Sequence, residues 1–358
     1  MRVWDLPADG RILAVRLDGM GDALMTGPAL RALKGLVPKG SVTALVSPMA
    51  ADCARRIPGV DQVLIHEAPW MKIAAAAPAA DRALIDRLGA QAFDAAVIFT
   101  VYSQSPLPAA LVCYLAGIPR RLAHCRENPY HLLTDWVAET EPHHGIRHEV
   151  RRQLDLVATI GAAASDESLA LTVPEPALAW AAQWRPSRGP LVVIHPGAQA
   201  PSRRYPAESY ATVVRLLEQE LGAHCLITGR ESERALLAEV KSGAVSGARI
   251  LCEGSFDQLA AVIRMADIMI TNNTGPAHMA AALGTPVVVL YALTNPQHEP
   301  WQAAARVLSA DVPCRNCYKS VCPSGHHRCL RDVSPRAVVD AAHALWHAHA
   351  PPARRALC

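Results

Sequence analysis

The segment Thr271-Asn-Asn-Thr-Gly-Pro-Ala-His278 decides how the fold of this chain is interpreted. The apolar residues 268–270 before it predict a buried strand, and the small and apolar residues after Pro276 predict a helix. At such a turn a Gly lets the backbone approach a ligand, a Thr or Asn caps the helix, and the helix N-terminus attracts an anion. The segment therefore predicts either a phosphate or diphosphate pocket, with His278 within reach, or an ordinary capped turn with a buried His.

Strands and helices alternate on both sides of this segment. Strands are predicted over residues 191–197, 225–229, 250–252 and 287–290, and helices over residues 207–221, 231–240 and 256–266, the last of them capped by Ser255. Gly197, Gly229 and Gly275 each follow a predicted strand. One edge of this sheet is therefore expected to be lined by turns that suit an anion.

The first half of the chain begins in the same way. Residues 11–17 predict a strand, the turn Asp18-Gly-Met-Gly-Asp22 follows, and residues 23–34 predict a helix. The glycines do not match G-x-G-x-x-G, so a dinucleotide site is only weakly indicated. Asp22 stands where the end of a strand opens onto the crevice of a doubly wound sheet. Its carboxylate there either caps the helix or acts as a general base.

Further β/α units are predicted up to residue 160, with strands over residues 42–46, 60–66 and 93–100 and helices over residues 81–88, 109–116 and 148–160. Residues 124–148 are rich in His, Arg, Pro and acidic residues and predict a long irregular loop. The basic residues in and before this loop either face an anionic acceptor or form a solvated surface. They are Arg120, Arg121, His124, Arg126, His131, His143, His144, Arg147 and His148.

Composition bounds the class of protein. A chain of 358 residues, 51% hydrophobic and 19% charged, predicts about two globular domains. A net charge of +3 gives no indication of nucleic-acid binding. No apolar run approaches the ~20 residues needed to cross a bilayer, and the polar N-terminus lacks a signal-peptide core, so we expect a cytoplasmic protein. The Pro-rich residues 174–190 predict a domain boundary.

Several motifs, taken together, point to one family. They are Arg16-Leu-Asp-Gly-Met-Gly-Asp22, Thr26-Gly-Pro-Ala-Leu-Arg-Ala-Leu-Lys34, His195-Pro-Gly-Ala198, Arg203-Arg-Tyr-Pro206, Thr228-Gly229 with Glu233, and Asn273-Thr-Gly-Pro-Ala-His278 with Ala-Ala-Leu-Gly-Thr-Pro286. In this order, and across both halves of the chain, they resemble motifs of glycosyltransferase family 9, the ADP-heptose:lipopolysaccharide heptosyltransferases.

The resemblance implies an α/β chain with a GT-B fold, in which two doubly wound Rossmann-like domains face each other across a cleft. Residues 1–175 would form the acceptor-binding domain. Residues 186–333, including the cysteines between 314 and 329, would form the nucleotide-sugar domain. Residues 334–358 would form a helix that returns to the first domain and a tail.

The resemblance also implies an activity and a set of site residues. The reaction would be the inverting, metal-independent transfer of a heptose or related sugar from an ADP-sugar to an acceptor hydroxyl, with no cofactor for catalysis. Asp22 matches the family's catalytic base. The donor would be bound by Arg203, Thr228, Gly229, Glu233, Asn273, Thr274, Gly275 and His278. Asn273 and Arg203 depart from the Asp and Lys common in the family, and Asn273 leaves the donor sugar open.

Four cysteines lie close together near the C-terminus, at Cys314, Cys317, Cys322 and Cys329. Four thiols, the first two spaced as C-x-x-C, suffice for a tetrahedral site holding zinc or iron, with disulfides or free thiols as the alternative. Similar cysteine tails occur in part of the family, whose catalysis uses no metal. The expected role of a metal here is therefore structural.

The acceptor is the least determined partner. The leading hypothesis is the lipopolysaccharide core at the inner membrane face, which would allow peripheral membrane contact. A protein hydroxyl, a lipid-linked glycan or a small metabolite are alternative acceptors. The other hypotheses are a sugar-nucleotide epimerase or hydrolase, and a non-catalytic sugar-nucleotide-binding module. An oligomer is compatible with all of them, and no nucleic-acid partner is expected.

Overall fold

The structure is a computed structural model that describes residues 3–71, 77–245 and 247–349. The chain divides into two compact units, Met1–Thr172 and Val173–Cys358. No helix among the described residues is long and apolar enough to pass through a bilayer. Each unit is built on its own parallel sheet and is described separately.

The first unit contains a sheet of six described strands in the order β3-β2-β1-β4-β5-β6, all parallel. The strands are β1 (Arg11–Arg16), β2 (Ser41–Val46), β3 (Gln62–Ile65), β4 (Ala95–Ile98), β5 (Arg120–Cys125) and β6 (Asp135–Ala138). The helices are α1 (Met20–Leu36), α2 (Ala51–Ala54), α3 (Pro78–Ala90), α4 (Leu107–Leu115) and α5 (Glu149–Ala158), with 3-10 turns at Pro48–Ala50 and Tyr130–Leu132.

The second unit has the same architecture. Its six described strands lie in the order β12-β11-β10-β7-β8-β9, again all parallel. They are β7 (Leu191–His195), β8 (His224–Thr228), β9 (Arg249–Leu251), β10 (Ile268–Asn272), β11 (Val287–Leu290) and β12 (Ala305–Leu308). The helices are α6 (Glu175–Ala181), α7 (Ala207–Leu221), α8 (Arg234–Lys241), α9 (Phe256–Met265), α10 (Gly275–Leu283), α11 (Arg328–Arg331) and α12 (Pro335–His349). The 3-10 turns are Ala182–Trp184, Pro201–Arg203, Glu231–Glu233 and Pro296–His298.

The central strands of both sheets are apolar because helices cover both of their faces. All four residues of β4 and of β11 are buried, as are all five of β10. Counted from the N-terminus of each unit, both sheets have the strand order 3-2-1-4-5-6, which confirms the prediction of two doubly wound α/β sheets. In such a sheet the connections diverge between the first and fourth strands, and ligands bind beside the carboxyl ends of those strands. These switch points lie between β1 and β4 and between β7 and β10.

The prediction of one irregular loop over residues 124–148 was wrong, because the end of β5 and the whole of β6 lie within it. β5 and β6 pair in parallel there, at one edge of the sheet. Arg121 and His124 in β5 are buried and polar, so the strand lacks the apolar pattern that marks its neighbours. β6 alternates half-buried and exposed residues. β12 was also missed, since it too is only partly buried.

The final helix packs within the second unit. α12 contacts α7 and the strands β10, β11 and β12. Leu345 and Trp346 are 1% and 2% exposed and belong to the core of this unit. The resemblance implied a final helix in this part of the chain, and α12 forms there, with its apolar face against the second sheet. The expected tail over residues 350–358 lies outside the described residues.

Candidate functional site

The carboxyl edge of the first sheet is built around Arg16, the last residue of β1. This residue is 3% exposed, and three carboxylates surround its guanidinium. Nε lies 3.0 Å from Asp18 Oδ2, Nη2 lies 3.2 Å from Asp22 Oδ1, and Nη1 lies 2.9 Å from Glu149 Oε1. Burial by itself lowers the pKa of Arg16, but the three carboxylates outweigh it and raise that pKa above its ordinary value. Arg16 is therefore a permanent charge at the switch point.

Asp18 is a largely buried carboxyl in this group. Its side chain is 12% exposed, and its Oδ1 accepts a hydrogen bond of 2.6 Å from Gln104 Nε2. Burial raises the pKa of Asp18 to about 6, with Arg16 opposing the shift and Asp22 adding to it. Asp18 therefore takes up a proton much closer to neutral pH than an ordinary aspartate.

Asp22 lies in the first turn of α1 and is held at both carboxylate oxygens. Arg16 contacts Oδ1, and the Gly19 N–H donates to Oδ2 over 3.3 Å. Capping of α1, one of the two roles that the sequence allowed, is thus present. The side chain nevertheless stays 27% exposed. A fixed, partly exposed carboxylate next to a buried cation is able to accept a proton from a bound hydroxyl group.

In the second unit, Glu233 is seated against two glycines that end neighbouring strands. A Cβ added at Gly197 would overlap the Glu233 carboxylate, and one added at Gly229 would lie 2.8 Å from Leu237 Cδ2 and 3.2 Å from Glu233 Oε2. The Arg230 N–H donates to Glu233 Oε2 over 2.9 Å. A Cβ at position 197 would therefore displace the Glu233 carboxylate from this place.

His195 and Thr228 form a pair between the ends of β7 and β8. His195 Nδ1 lies 3.1 Å from Thr228 Oγ1, and the threonine is fully buried. Burial lowers the pKa of His195 to about 4, with Glu233 opposing the shift and Arg230 adding to it. His195 is therefore neutral at physiological pH, and the Thr228 hydroxyl supports it.

Arg203 reaches the end of β10 from a 3-10 turn. Its Nη1 donates to the backbone oxygen of Asn273 over 3.2 Å. Arg204, its neighbour, is instead held away by a hydrogen bond of 2.8 Å from Nε to the Ala198 oxygen. The structure thus brings the guanidinium of Arg203 to the segment with which the sequence analysis began.

The two asparagines of this segment have different roles. Asn272 is fully buried: its Oδ1 accepts from the Tyr205 N–H and the Tyr210 hydroxyl, and its Nδ2 donates to the Pro196 oxygen over 2.7 Å. Asn273 Nδ2 donates to Thr294 Oγ1 over 2.9 Å and to the Ala292 oxygen over 3.3 Å. Asn272 therefore fixes the turn after β7, whereas the Asn273 amide is oriented by the residues after β11.

The N-terminus of α10 lies directly after Asn273. Thr274 occupies the cap position, but its side chain makes no capping hydrogen bond and its hydroxyl instead donates to the Asn272 oxygen over 3.4 Å. The helix begins at Gly275, and His278 follows in the first turn, 4% exposed. The expected side-chain cap is thus absent from this helix. A helix N-terminus without a side-chain cap favours an anion.

Several contributing residues had no role in the sequence analysis. Arg16 was quoted only as part of a motif, although a lone Arg at the end of a buried strand is itself a signal of ion pairing. Glu149 is completely buried at the start of α5. Thr294 orients Asn273 from a different loop. The last two are distant in sequence from the motifs, and no local pattern reveals their contacts.

Most of the basic residues near β5 serve the first unit itself. Arg121 donates to the backbone oxygens of Leu132 and His131 over 2.8 and 2.9 Å. Arg126 donates to the oxygens of Tyr102 and Glu141, and Arg147 pairs with the Glu141 carboxylate at 2.7 Å. Burial lowers the pKa of His124 to about 4, so it is neutral. Arg121, His124 and Arg147 therefore stabilise the unit, and His131, His143 and His144 remain exposed.

The four clustered cysteines lie near the surface of the second unit and form no disulfide among the described residues. Burial raises the pKa of Cys329, and the other three thiols raise it further, so all three lie close enough to repel its thiolate. Cys314 Sγ lies 3.7 Å from His326 Nε2. The thiols are neighbours, but among the described residues no three of them lie within 4.8 Å of one another.

The loop that carries these cysteines also forms backbone hydrogen bonds with two segments at the carboxyl edge of the second sheet. The Ser202 N–H donates to the Ser320 oxygen over 3.1 Å, the Tyr318 N–H donates to the Leu293 oxygen over 2.9 Å, and the Leu293 N–H donates to the Arg315 oxygen over 3.2 Å. The cysteine loop thus holds the segment before Thr294.

A different group meets the distance criterion for a metal site within the described residues, namely Glu231, Cys252 and Glu253. Arg234 already pairs with both carboxylates, at 2.6 Å from Glu231 and 2.8 Å from Glu253. Its charge compensates the two acids, so an ion pair explains this group without a metal.

Comparison with known proteins points to the same family as the sequence motifs. A sequence model of glycosyltransferase family 9 (heptosyltransferase) matches residues 82–327. Lipopolysaccharide heptosyltransferase 2 of Salmonella typhimurium is 26% identical over 354 residues, which cover 94% of this chain and 98% of that protein.

Solved structures show the same fold. A family 9 glycosyl transferase from Veillonella parvula has a TM-score of 0.81 at 19% identity, over 97% of this chain and 100% of that chain. ADP-heptose lps heptosyltransferase II of E. coli has a TM-score of 0.75 at 24% identity, over 94% of this chain and 99% of that chain. The expected GT-B fold is confirmed by these likenesses. On its sequence match, its fold and its motifs together, the chain is a glycosyltransferase that belongs to glycosyltransferase family 9, the heptosyltransferase family.

Proposed function

We propose that this glycosyltransferase moves a heptose, or a related sugar, from an ADP-sugar to a hydroxyl of the lipopolysaccharide core, with inversion and without a catalytic metal. Asp22 is the general base of this proposal. One observation supports this role of Asp22. Arg16 and the Gly19 N–H fix both oxygens of its carboxylate, and its side chain is still 27% exposed at the switch point. A base must be fixed and accessible to take a proton from a hydroxyl.

The proposed reaction is a single displacement. The acceptor oxygen bonds to the anomeric carbon while the bond from that carbon to the terminal phosphate oxygen of the donor breaks. The acceptor proton passes to Asp22, and the electron pair of the broken bond leaves with ADP. Because the acceptor attacks opposite the leaving group, the anomeric configuration inverts.

The leaving diphosphate is assigned to Arg203 and the start of α10. A planar guanidinium matches two phosphate oxygens at once, and the N-terminus of α10, which begins at Gly275, favours an anion. His278, in the same turn, completes this group. Fixed positive charge and oriented dipoles stabilise a departing anion in the way that a metal ion does elsewhere, which supports a metal-independent reaction.

The sugar hydroxyls of the donor are assigned to Glu233 and Asn273. Glu233 is an acceptor-only carboxylate between Gly197 and Gly229, suited to ribose or sugar hydroxyls. Thr228 contributes through His195 rather than directly. Asn273 offers a neutral amide where an aspartate would offer a charge, so a donor sugar other than heptose fits this proposal equally well.

The first test is turnover of ADP-heptose with a truncated lipopolysaccharide core as acceptor, measured as ADP release. Asp22→Asn should reduce turnover at least about 100-fold, because it removes the base and keeps the shape. Asp52→Asn, at a side chain 70% exposed, serves as the matched control and should keep wild-type turnover. Turnover unaffected by Asp22→Asn would remove Asp22 as the base.

Two further measurements define the reaction. The anomeric configuration of the product, from NMR coupling constants, should be opposite to that of the donor. The initial rate should be the same with added Mg²⁺ and with a chelator. A retained configuration, or a rate that requires Mg²⁺, contradicts the corresponding part of the proposal.

The lipopolysaccharide acceptor rests on the similarity to proteins named as lipopolysaccharide heptosyltransferases. It would place the enzyme at the cytoplasmic face of the inner membrane, in peripheral contact with it. Residues 1–175 are proposed as the acceptor domain and residues 186–333 as the donor domain. Turnover with a protein or small-metabolite acceptor and none with the core would reassign the acceptor. Donor binding without any turnover would indicate a binding module.

We also propose that Cys314, Cys317, Cys322 and Cys329 hold a structural zinc or iron ion. Four thiols within one short loop, with His326 Nε2 lying 3.7 Å from Cys314 Sγ, supply the ligand types that a tetrahedral metal site needs. Four thiolates suit either metal. Purified protein should contain about one metal ion per chain, Cys317→Ser should lose it, and Cys113→Ala, outside the cluster, should keep it. Metal-free wild-type protein contradicts the site.

A further inference from the structure

Glu149 is a completely buried carboxylate that no motif of the chain includes. Its Oε1 accepts a hydrogen bond of 2.9 Å from Arg16 Nη1, across 133 positions of sequence. The other end of the same guanidinium, Nη2, lies 3.2 Å from Asp22 Oδ1. One arginine therefore joins a buried carboxylate to a partly exposed one.

The surroundings of Glu149 hold it firmly in place. Gln153 Nε2, one turn further along α5, donates to the same Oε1, and Arg152 Nη1 lies 4.0 Å away. Arg152 is itself bound to the Thr100 oxygen and to Glu139. Glu149 is also the first residue of α5, where the helix dipole favours a negative charge.

A buried carboxylate at this place lowers the stability of the fold, so packing alone does not explain why it is there. Burying a charge is strongly unfavourable, and a buried ion pair often stabilises no more than apolar residues of the same size. The second oxygen, Oε2, is buried with no hydrogen-bond partner among the described residues. The ion pair with Arg16 is the main interaction that compensates the burial of this charge.

We propose that Glu149 is a positioning residue for Asp22, which acts by anchoring and partly neutralising Arg16. The anchor fixes the direction of Nη2 toward Asp22. The neutralisation prevents Arg16 from stabilising the Asp22 carboxylate so strongly that it becomes a poor base. This inference rests on the proposed role of Asp22 as general base.

The direction of the pH effect follows from the charges around Asp22. Arg16 favours its charged form, and Asp18 disfavours it. Glu149 and Arg152 act from α5, and Cys53, from α2, contributes a neutral thiol because burial raises its pKa. Removing the charge of Glu149 leaves Arg16 free to favour ionised Asp22. The pKa of Asp22 then falls, and the base becomes weaker.

The test is Glu149→Gln, which keeps the size of the side chain and removes its charge. The acid limb of the kcat/KM profile should move to lower pH by about half a unit to one unit, and kcat at neutral pH should fall about 5- to 10-fold. The KM for the ADP-sugar should change less than about twofold. A folded variant with an unshifted acid limb and wild-type kcat would overturn the proposal.

Glu141→Gln is the matched control. Glu141 is 2% exposed in the same unit and pairs with Arg147 at 2.7 Å, without contact to Arg16. This substitution also removes a buried carboxylate from an ion pair, so it should lower thermal stability while leaving the acid limb in place. An equal shift of the acid limb in both variants would show a general effect of charge and contradict a specific role for Glu149.

A second variant covers the case in which Glu149→Gln does not fold. Gln153→Met removes the amide that holds Glu149 and should lower kcat about threefold at unchanged donor KM; unchanged kcat contradicts the proposal. The two levels of inference are separable. If Asp22→Asn keeps its turnover, the base itself is misassigned. If Asp22→Asn is inactive and Glu149→Gln behaves as wild type, only the positioning role fails.

Discussion

The two sheets share a strand order but present opposite chemistry at their switch points. At the first, Arg16 is surrounded by three carboxylates, and a buried network of charges extends through Glu149 to Arg152. At the second, a neutral histidine, buried amides, an uncapped helix N-terminus and a single carboxylate, Glu233, lie at the strand ends, and Arg203 contacts the end of β10. The first edge carries surplus negative charge, and the second offers oriented dipoles and a cation.

This difference shows how one architecture supports two tasks. A proton acceptor needs carboxylates whose basicity is set by nearby charges, and buried charges serve that purpose. A site for a diphosphate needs donors that do not change protonation state, and backbone N–H groups with a guanidinium meet that need. If this interpretation is correct, the two edges should respond differently to equivalent substitutions.

The largest effect is expected for substitution of Arg16, measured as a change in the free energy of unfolding. Arg16→Met leaves three carboxylates at a buried place without their cation, and should lower the free energy of unfolding by about 3–5 kcal/mol in a urea titration. Arg336→Met, at an exposed ion pair with Glu220, should leave the unfolding midpoint close to that of the wild type. A small effect at Arg16 would show that its charge network contributes little to the fold.

The second edge should respond in binding instead of stability. Arg203→Met should raise the KM for the ADP-sugar about 10- to 100-fold, because charge-assisted hydrogen bonds to a phosphate contribute about 1.5–3 kcal/mol. Arg203→Lys should recover part of that loss, since it restores the charge without the planar fork. Steady-state kinetics with varied donor measures both. An unchanged KM in Arg203→Met would remove this residue from the donor site.

The pH dependence of stability should have opposite signs at the two edges. The pKa of Asp18 is about 6 in the folded state, compared with an ordinary value of 3.8. Its contribution to the free energy of unfolding is therefore present below pH 3.8 and is lost as pH rises through 6. The pKa of His195 is about 4 against 6.5, so its contribution is present above pH 6.5 and is lost as pH falls through 4.

These slopes are measurable by urea unfolding at several pH values between 4 and 6.5. Asp18→Asn should make stability rise more steeply with pH, and His195→Gln should make it rise less steeply, each by on the order of 1 kcal/mol across the range. Changes of the same sign in both variants would contradict the contrast between the edges.

The smallest effect is expected from a single methyl group at the second edge. Gly197→Ala places a Cβ where the Glu233 carboxylate lies and should move that side chain. The KM for the donor should rise several-fold, with kcat little changed, because only the contact with the donor hydroxyls is altered. Gly35→Ala, near the end of α1 with open space around the added methyl group and no left-handed backbone, is a control for glycine replacement and should keep the donor KM.

The fold was largely predictable because its central elements are locally consistent. α7 and β11 were predicted to the residue, since an amphipathic helix and a wholly apolar strand have unambiguous patterns. β5 and β6 were not, because a buried Arg121 and the mixed exposure of an edge strand obscure the pattern. Their polar side chains are satisfied by backbone groups that only the folded chain supplies.

The candidate site divides in a similar way. The turn that carries Asp22 and the turn that carries Thr274 and Gly275 are short segments, and their strand–turn–helix context could be predicted from the sequence. The contacts of Glu149 with Arg16, and of Thr294 with Asn273, join distant parts of the chain. They follow from the packing of α5 and from the path of the chain after β11, which a local pattern does not determine.

The amide of Asn273 has a consequence for how this enzyme can diverge. Its Nδ2 donates to the Ala292 carbonyl, a backbone group that no substitution can alter. An aspartate at 273, reached by one nucleotide change, would set a carboxylate oxygen against that carbonyl unless residues 292–294 shifted together. Asn273→Asp alone should therefore destabilise this segment, and a compensating change in residues 292–294 should be needed to restore it.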